Sequence, residues 1–214
     1  MKTNITELVF ILDKSGSMSG LESDTIGGFN SMLKNQKAES GKAFVTTVLF
    51  DNNYEILHER EDIRDTPFIT DKEYFVEGST ALLDALGKTI NKVVNVQKNK
   101  RIEERADKVL FVIITDGMEN ASREYTAEKV KGLVELEKEK YGWEFMFLGA
   151  NLDAVSTAKS YGIDKNRAVN YRADSKGTQT NFKAVNHAVS ELRNQEFLSD
   201  DWRKTIDEDY NSRG

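Results

Sequence analysis

The stretch LVFILDKSGS, residues 8–17, decides the fold of this chain. Its first half is a continuous apolar run, which is typical of a strand that is buried on both faces. Its second half places one carboxylate and two hydroxyls at alternate positions, Asp13, Ser15 and Ser17. Gly16 allows a sharp turn between the serines because glycine has no Cβ. We therefore predict that these oxygens converge where the strand ends, as a donor set suited to Mg²⁺.

Two later segments supply further oxygen donors of the same kind. Thr80 lies where a Gly-Ser-Thr loop meets the helical run 81–86, and Asp116 follows the most apolar run of the chain, 109–114. In open α/β sheets, ligands bind at the carboxyl ends of the strands, at the point where the strand order reverses. We therefore expect one crevice to hold all the candidate metal ligands: Asp13, Ser15, Ser17, Thr80 and Asp116.

Hydrophobic periodicity along the rest of the chain predicts alternating strands and helices. The strands are expected at 7–12, 44–50, 109–114 and 143–148, with a weaker strand at 167–171 and a hairpin edge strand at 54–60. Apolar residues spaced by three, four or seven positions predict the helices, which centre near Phe29, Leu86, Val134 and Val189. This alternation predicts an α/β fold with a doubly wound, mainly parallel sheet, helices on both faces and one antiparallel edge strand.

The domain organisation is predicted to be simple. No internal repeat or Pro/Gly/Ser-rich linker divides the chain, so residues 1–197 are expected to form one domain, with the irregular stretch 61–76 on its surface. Segment 198–214 is expected to form an amphipathic helix that docks on the same domain. The alternative is that this helix binds a partner. Its apolar residues recur every four positions: Leu198, Trp202, Ile206 and Tyr210.

The three oxygen-bearing motifs together resemble a known family. D-x-S-x-S at 13–17, Thr80 within GSTALLDAL and Asp116 within IITDG have the order, spacing and context of the von Willebrand factor A (vWA) domain family with an intact metal-ion-dependent adhesion site (MIDAS). The resemblance extends from residue 5 to about 195, and it is to intracellular single-domain members of bacterial or phage type.

The resemblance implies a role for each residue of the site. Ser15 and Ser17 would contact the metal directly through their hydroxyls, and Thr80 would join them when a ligand is bound. Asp13 and Asp116 would act largely through water. The metal would be Mg²⁺, or Mn²⁺ or Ca²⁺ in its place, and neutral hydroxyl ligands would leave it electrophilic.

Two functions from different classes are compatible with such a site. The first is a non-enzymatic, metal-dependent protein-interaction module that binds an Asp or Glu of a partner; the bacterial members suggest a partner in an ATPase-associated assembly. The alternative is a Mg²⁺-dependent phosphoryl-transfer enzyme of the haloacid dehalogenase type, which also begins with Asp at the end of the first strand. That class usually has a second Asp as acid/base where this chain has Ser15.

Composition excludes several other classes. The net charge is −6, from 30 basic and 36 acidic residues, which opposes a general nucleic-acid role. The chain has no cysteine and two histidines, so a zinc site built on Cys and His is not expected. The absence of cysteine favours a reducing compartment. Neither a signal peptide nor an apolar run of roughly 20 residues occurs, so we expect a cytoplasmic protein that does not bind membranes.

Four further residues are interpreted as ordinary parts of the fold. Asp84 is expected to be a surface charge in the first turn of a helix, where the helix dipole favours it. Asn120 and Arg123 follow the Asp116 turn and are expected to line the rim of the site. His187 falls off the apolar face of its helix, which predicts exposure to solvent.

Overall fold

The computed structural model describes residues 4–195 and 197–213 of the chain, and these contain one six-stranded sheet. The strands are β1 (Ile5–Asp13), β2 (Lys42–Phe50), β3 (Tyr54–Asp62), β4 (Lys108–Thr115), β5 (Glu144–Gly149) and β6 (Ala168–Asn170). Their order across the sheet is β3-β2-β1-β4-β5-β6. Among these described strands, the β2–β3 pair alone is antiparallel, and the other four pairs are parallel. The predicted sheet, mainly parallel with one antiparallel edge strand, is thereby confirmed.

In the described part of the chain, six α-helices cover the two faces of this sheet. They are α1 (Glu22–Ala38), α2 (Leu82–Asn99), α3 (Ala127–Tyr141), α4 (Ala154–Ser160), α5 (Ser175–Asn194) and α6 (Lys204–Ser212). Because side chains alternate along a strand, Phe10 of β1 packs into the core beneath α1, α5 and α6, whereas Ile11 packs into the core beneath α2, α3 and α4. The continuous apolar run of β1 is thus explained by burial on both faces.

The strand order reverses between β1 and β4. The chain passes from β1 to β2 and β3 on one side, then crosses to β4 on the other side. Leu12 is in register with Ile114, so Asp13 and Thr115 stand next to each other at the carboxyl ends of these strands. A crevice forms at such a switch point because the connections leave in opposite directions.

The stretch 61–76 differs from the surface connection that its sequence predicts. Ile63, Ile69 and Tyr74 are buried in the core beneath α1. The Tyr74 hydroxyl donates a hydrogen bond to the backbone oxygen of Asp13 at 2.5 Å. The prediction was wrong for these side chains because they lie on irregular backbone, where burial leaves no period in the sequence.

The C-terminal segment packs against the same core. Leu198, Trp202 and Ile206 are buried, and the Trp202 indole donates to the backbone oxygen of Asn166 at 3.0 Å. Tyr210 is partly exposed and carries the Arg172 guanidinium over its ring. Within the described ranges, no helix has the length and apolarity needed to cross a bilayer.

Candidate functional site

Four of the five predicted ligands form one hydrogen-bonded chain at the switch point. The Ser15 hydroxyl lies 3.1 Å from the Ser17 hydroxyl and accepts a hydrogen bond from Thr80 Oγ1 at 3.1 Å. The Ser17 hydroxyl donates to Asp116 Oδ1 at 2.5 Å. Ser15 and Thr80 are buried, whereas Ser17 is exposed. The cluster is therefore open to solvent on the side of Ser17.

The fifth residue, Asp13, lies at the base of this cluster. Its Oδ1 accepts the backbone N–H of Ser15 at 2.7 Å, and its Oδ2 accepts the Thr115 hydroxyl at 2.5 Å. The first bond fixes the turn that carries the serines, and the second joins the end of β1 to the end of β4. The structure thus brings all five residues into one crevice, and metal binding by them stays a prediction.

Two glycines permit the close approach of the three loops. At Gly117, an added Cβ would lie 3.1 Å from Ser17 Oγ and 3.2 Å from Thr80 Oγ1, inside the cluster. At Gly78, where φ is +68°, an added Cβ would lie 2.0 Å from the side-chain oxygen of Asn52. A side chain at Gly117 would crowd the hydroxyls of Ser17 and Thr80, and one at Gly78 would displace Asn52.

The helix centred near Phe29, α1, does not begin directly after Ser17. A 3₁₀ turn, Gly16–Met18, and a turn at Gly20 with φ of +88° precede the first residue of α1, Glu22. The positive end of α1 is therefore displaced along the chain from Ser17. Helix α2 begins at Leu82, two residues after Thr80, so the helix dipole acts on the site chiefly from α2.

Thr80 is held by the loop that follows Asp116. Its N–H donates to the side-chain oxygen of Asn120 at 3.0 Å, and its backbone oxygen accepts the N–H of Asn120 at 3.0 Å. Glu119 accepts the N–H of Leu83 at 2.9 Å, which satisfies one of the free donors at the start of α2. The loop after β4 therefore positions the hydroxyl that precedes α2.

Asp84 is not the surface charge that its sequence position predicts. It is buried, and its two oxygens accept the backbone N–H groups of Arg123, Glu124 and Tyr125 at 2.8–2.9 Å. Burial raises the pKa of Asp84, but these three hydrogen bonds outweigh burial and hold the pKa below its usual value. Asp84 therefore fixes the loop that holds Thr80.

Burial sets the electrostatics of the two site carboxylates. It raises the pKa of Asp13, and the hydrogen bonds from Ser15 and Thr115 offset part of this effect. Burial also raises the pKa of Asp116, although the hydrogen bond from Ser17 lowers it in part. A cation placed between the two carboxylates would favour their charged forms and so oppose both shifts.

The chemistry of the cluster fits a hard divalent cation. Asp116 Oδ2 is buried and has no hydrogen-bond partner in the described part of the chain, which is an unusual state for a carboxylate oxygen. Among the described residues, no cluster of three or more His, Cys, Asp or Glu side chains is arranged so that it could hold a metal ion. The candidate donors are instead three hydroxyls and two carboxylates, the oxygen ligands that Mg²⁺ prefers over soft donors.

Neither histidine contributes to the site. His58 is buried on β3, where its Nδ1 lies 3.0 Å from the Thr47 hydroxyl and its ring stacks on Phe29. Burial lowers the pKa of His58 to about 4. His187 is exposed on α5, as its position in the helix predicts.

Comparison with known proteins supports the fold through structure alone. No family model and no curated protein matches the sequence. The von Willebrand factor domain of a type V pilus tip protein from Porphyromonas gingivalis superposes with a TM-score of 0.64 and 11% identity, over 91% of this chain and 98% of that domain. The manganese-loaded TRAP protein of Plasmodium vivax gives a TM-score of 0.56 and 15% identity, over 84% and 72%.

A third similar structure is proximal thread matrix protein 1 of the mussel byssus, with a zinc-occupied MIDAS motif. Its TM-score is 0.54 at 15% identity, over 85% of this chain but only 44% of the mussel protein. This chain therefore spans less than half of the mussel protein's length. The sheet order, the helices on both faces and these superpositions lead to one conclusion: the chain has a von Willebrand factor A-like fold.

Proposed function

We propose that this protein is a metal-dependent protein-interaction module with a MIDAS that binds Mg²⁺. The observation that carries the proposal is the hydrogen-bonded chain of Thr80, Ser15, Ser17 and Asp116 at the switch point of the sheet. The unpartnered Asp116 oxygen and the solvent opening at Ser17 support it. The metal-occupied relatives with the same fold are consistent with it.

In this proposal each residue has a defined task. Ser15, Ser17 and Thr80 would hold the ion through hydroxyl oxygens, and Asp13 and Asp116 would supply the negative charge that balances it. The bound ion would offer an electrophilic position to an Asp or Glu of the partner. Asp13 cannot reach outward itself, because its two oxygens are held by Ser15 and Thr115.

The same contacts argue against the phosphoryl-transfer alternative. A nucleophilic Asp must present a free carboxylate oxygen to the substrate. Asp13 is 1% exposed, and both of its oxygens accept hydrogen bonds. Residue 15 is a serine rather than an acid/base of suitable pKa. These observations support a binding role, and the absence of enzymatic activity stays a prediction.

Mn²⁺ binding tests the proposal directly. Calorimetric titration of the wild type and of Asp116→Ala is expected to show binding in the wild type and a clear loss in the variant. Asp71→Ala removes an exposed carboxylate from the 61–76 stretch and serves as the matched control, with wild-type affinity. Equal affinity in all three proteins would refute the site assignment.

The role of the partner is tested by a double-mutant cycle. Removal of the partner's acidic residue is expected to cost at least about 2 kcal/mol of binding free energy, the scale of a dominant interface contact. That cost should be coupled to Thr80→Ala and should vanish in EDTA. Binding that survives EDTA undiminished would place the partner elsewhere. A cytoplasmic location and an ATPase-associated partner stay predictions.

A further inference from the structure

A polar crevice opens beside Thr80, on the side that faces α2. It has a volume of about 640 Å³ and lies between the turn after β2, the start of α2 and the loop after Asp116. Ser79 and Asn120 line it. Asn120 also accepts the N–H of Thr80, so the crevice adjoins the hydroxyl cluster.

Two hydrogen-bond acceptors on the walls of this crevice, Asp84 and Ser122, are already in use. Both oxygens of Asp84 accept backbone N–H groups. The Ser122 hydroxyl accepts the N–H of Asp84 at 3.0 Å and donates to Glu119 at 2.9 Å. These bonds also hold the walls in place, so the crevice is preorganised for a ligand.

Three donor groups on the walls are free among the described residues: the side-chain amides of Asn52 and Asn120 and the Arg123 guanidinium. Asn52 and Asn120 each use their side-chain oxygen to accept a backbone N–H, from Ser79 at 3.3 Å and from Thr80 at 3.0 Å. An amide that is bonded through its oxygen keeps both N–H donors for other partners. Within the described residues, neither of these NH₂ groups has a hydrogen-bond partner, and the same is true of the exposed Arg123 guanidinium.

One positive charge on the walls of the crevice is also without a partner among the described residues. Lys88 is paired with Glu124 at 2.7 Å, and the negative charge of Asp84 is stabilised by three backbone N–H donors. Arg123 is the cation on the wall that carries no ion pair among the described residues. A surface of free donors with one unpaired guanidinium suits an anion with several acceptor oxygens.

We propose, resting on the function proposed above, that this crevice binds a second carboxylate from the same partner segment. One acidic residue of the partner would reach the hydroxyl cluster. A second, a few residues away in the partner's sequence, would pair with Arg123 and accept hydrogen bonds from Asn52 or Asn120. The partner is thus defined chemically as a peptide segment with two acidic residues at a fixed spacing.

A displayed peptide library tests this inference. Each peptide carries one fixed Asp between random flanks, and peptides are selected on the immobilised full chain in Mn²⁺ and eluted with EDTA. We expect a second Asp or Glu to be enriched at one spacing. Arg123→Gln should abolish that enrichment and weaken binding of a selected peptide roughly tenfold, as for a charge-assisted hydrogen bond that is partly screened.

The matched control is Arg64→Gln, which removes the same charge from an exposed position. Arg64 follows Ile63, whose N–H bonds to Ala43 near the start of β2, so it lies at the opposite end of the sheet from the crevice. This variant should keep the wild-type peptide profile. Arg123→Gln leaves the backbone N–H to Asp84 intact, so the loop should stay folded.

The outcomes separate the two proposals. If EDTA elutes no selected peptides, the metal-dependent module itself is refuted, and the crevice proposal fails with it. If EDTA-eluted peptides contain the fixed Asp alone, or if Arg123→Gln selects the same profile as the wild type, the crevice proposal is overturned while the metal-dependent function stands.

Discussion

We expect a glycine-to-alanine substitution to have different effects on stability at Gly87 and at Gly132. Both glycines lie inside helices, Gly87 in α2 and Gly132 in α3. Gly87 is buried, and a Cβ added there would lie 2.2 Å from the ring of Tyr125. Gly132 is exposed, and an added Cβ would meet no atom within 4 Å. The pair therefore separates overpacking from helix propensity.

The magnitudes follow from two terms. Alanine in place of glycine stabilises a helix interior by about 1 kcal/mol at either position. Overpacking at Gly87 costs about 1–3 kcal/mol, because the Tyr125 ring must move. The ring is restrained: the Tyr125 hydroxyl accepts a hydrogen bond from Asn91 at 2.9 Å, and its backbone N–H donates to Asp84. The difference between the changes in unfolding free energy of the two variants cancels the helix-propensity contribution and leaves the cost of overpacking at Gly87.

Urea denaturation with a common m-value measures both changes. We expect Gly132→Ala to raise the free energy of unfolding by about 1 kcal/mol. We expect Gly87→Ala to fall about 1–3 kcal/mol below Gly132→Ala. Equal stabilisation by the two substitutions would refute the reasoning, because it would mean that Tyr125 yields at no cost.

Three further predictions concern other parts of the molecule. The unfolding free energy should fall by about 1–3 kcal/mol as the pH drops from 6.5 towards 4, because the unfolded state protonates His58 while the folded state keeps it neutral. Chemical denaturation at several pH values measures this change. The variant His58→Gln should lose the pH dependence, and His187→Gln should keep it. Trp202→Ala should lower the unfolding free energy by about 3–5 kcal/mol, whereas Phe197→Ala, at an exposed position, should change it by less than about 0.5 kcal/mol; equal effects would contradict docking of the C-terminal segment. Hydrolysis of p-nitrophenyl phosphate in Mg²⁺ should stay at background, and turnover that disappears in Asp13→Asn would restore the enzyme interpretation.

The sheet could be predicted because its signals are local. The run at 8–12 is apolar at every position, as burial on both faces requires, and the structure buries Phe10 and Ile11 in opposite cores. The polar residues that follow each strand could be assigned to one crevice because parallel strands end at the same edge. These two signals were sufficient to predict that Asp13 and Asp116 lie in the same crevice.

The contacts that support the site could not be predicted in the same way. Asp84 and Tyr125 are 41 positions apart, and their hydrogen bond leaves no period in either segment. A carboxylate in the first turn of a helix has the same local sequence whether it faces solvent or accepts N–H groups from a distant loop. Whether Asp84 faces solvent or accepts these N–H groups depends on the packing of the 119–125 loop against α2.

The hydrogen-bonded chain through Ser15, Ser17 and Thr80 has a kinetic consequence. Its bonds join hydroxyls, whose protons turn about single C–O bonds, while the loops beneath are already fixed by Asp13 and Asn120. Exchanging these bonds for bonds to an ion therefore requires rotations on the timescale of side chains, from picoseconds to nanoseconds. Mg²⁺ surrenders its water reluctantly. In the proposed function, the rate of Mg²⁺ capture should therefore depend on the dehydration of the cation rather than on any movement of the chain.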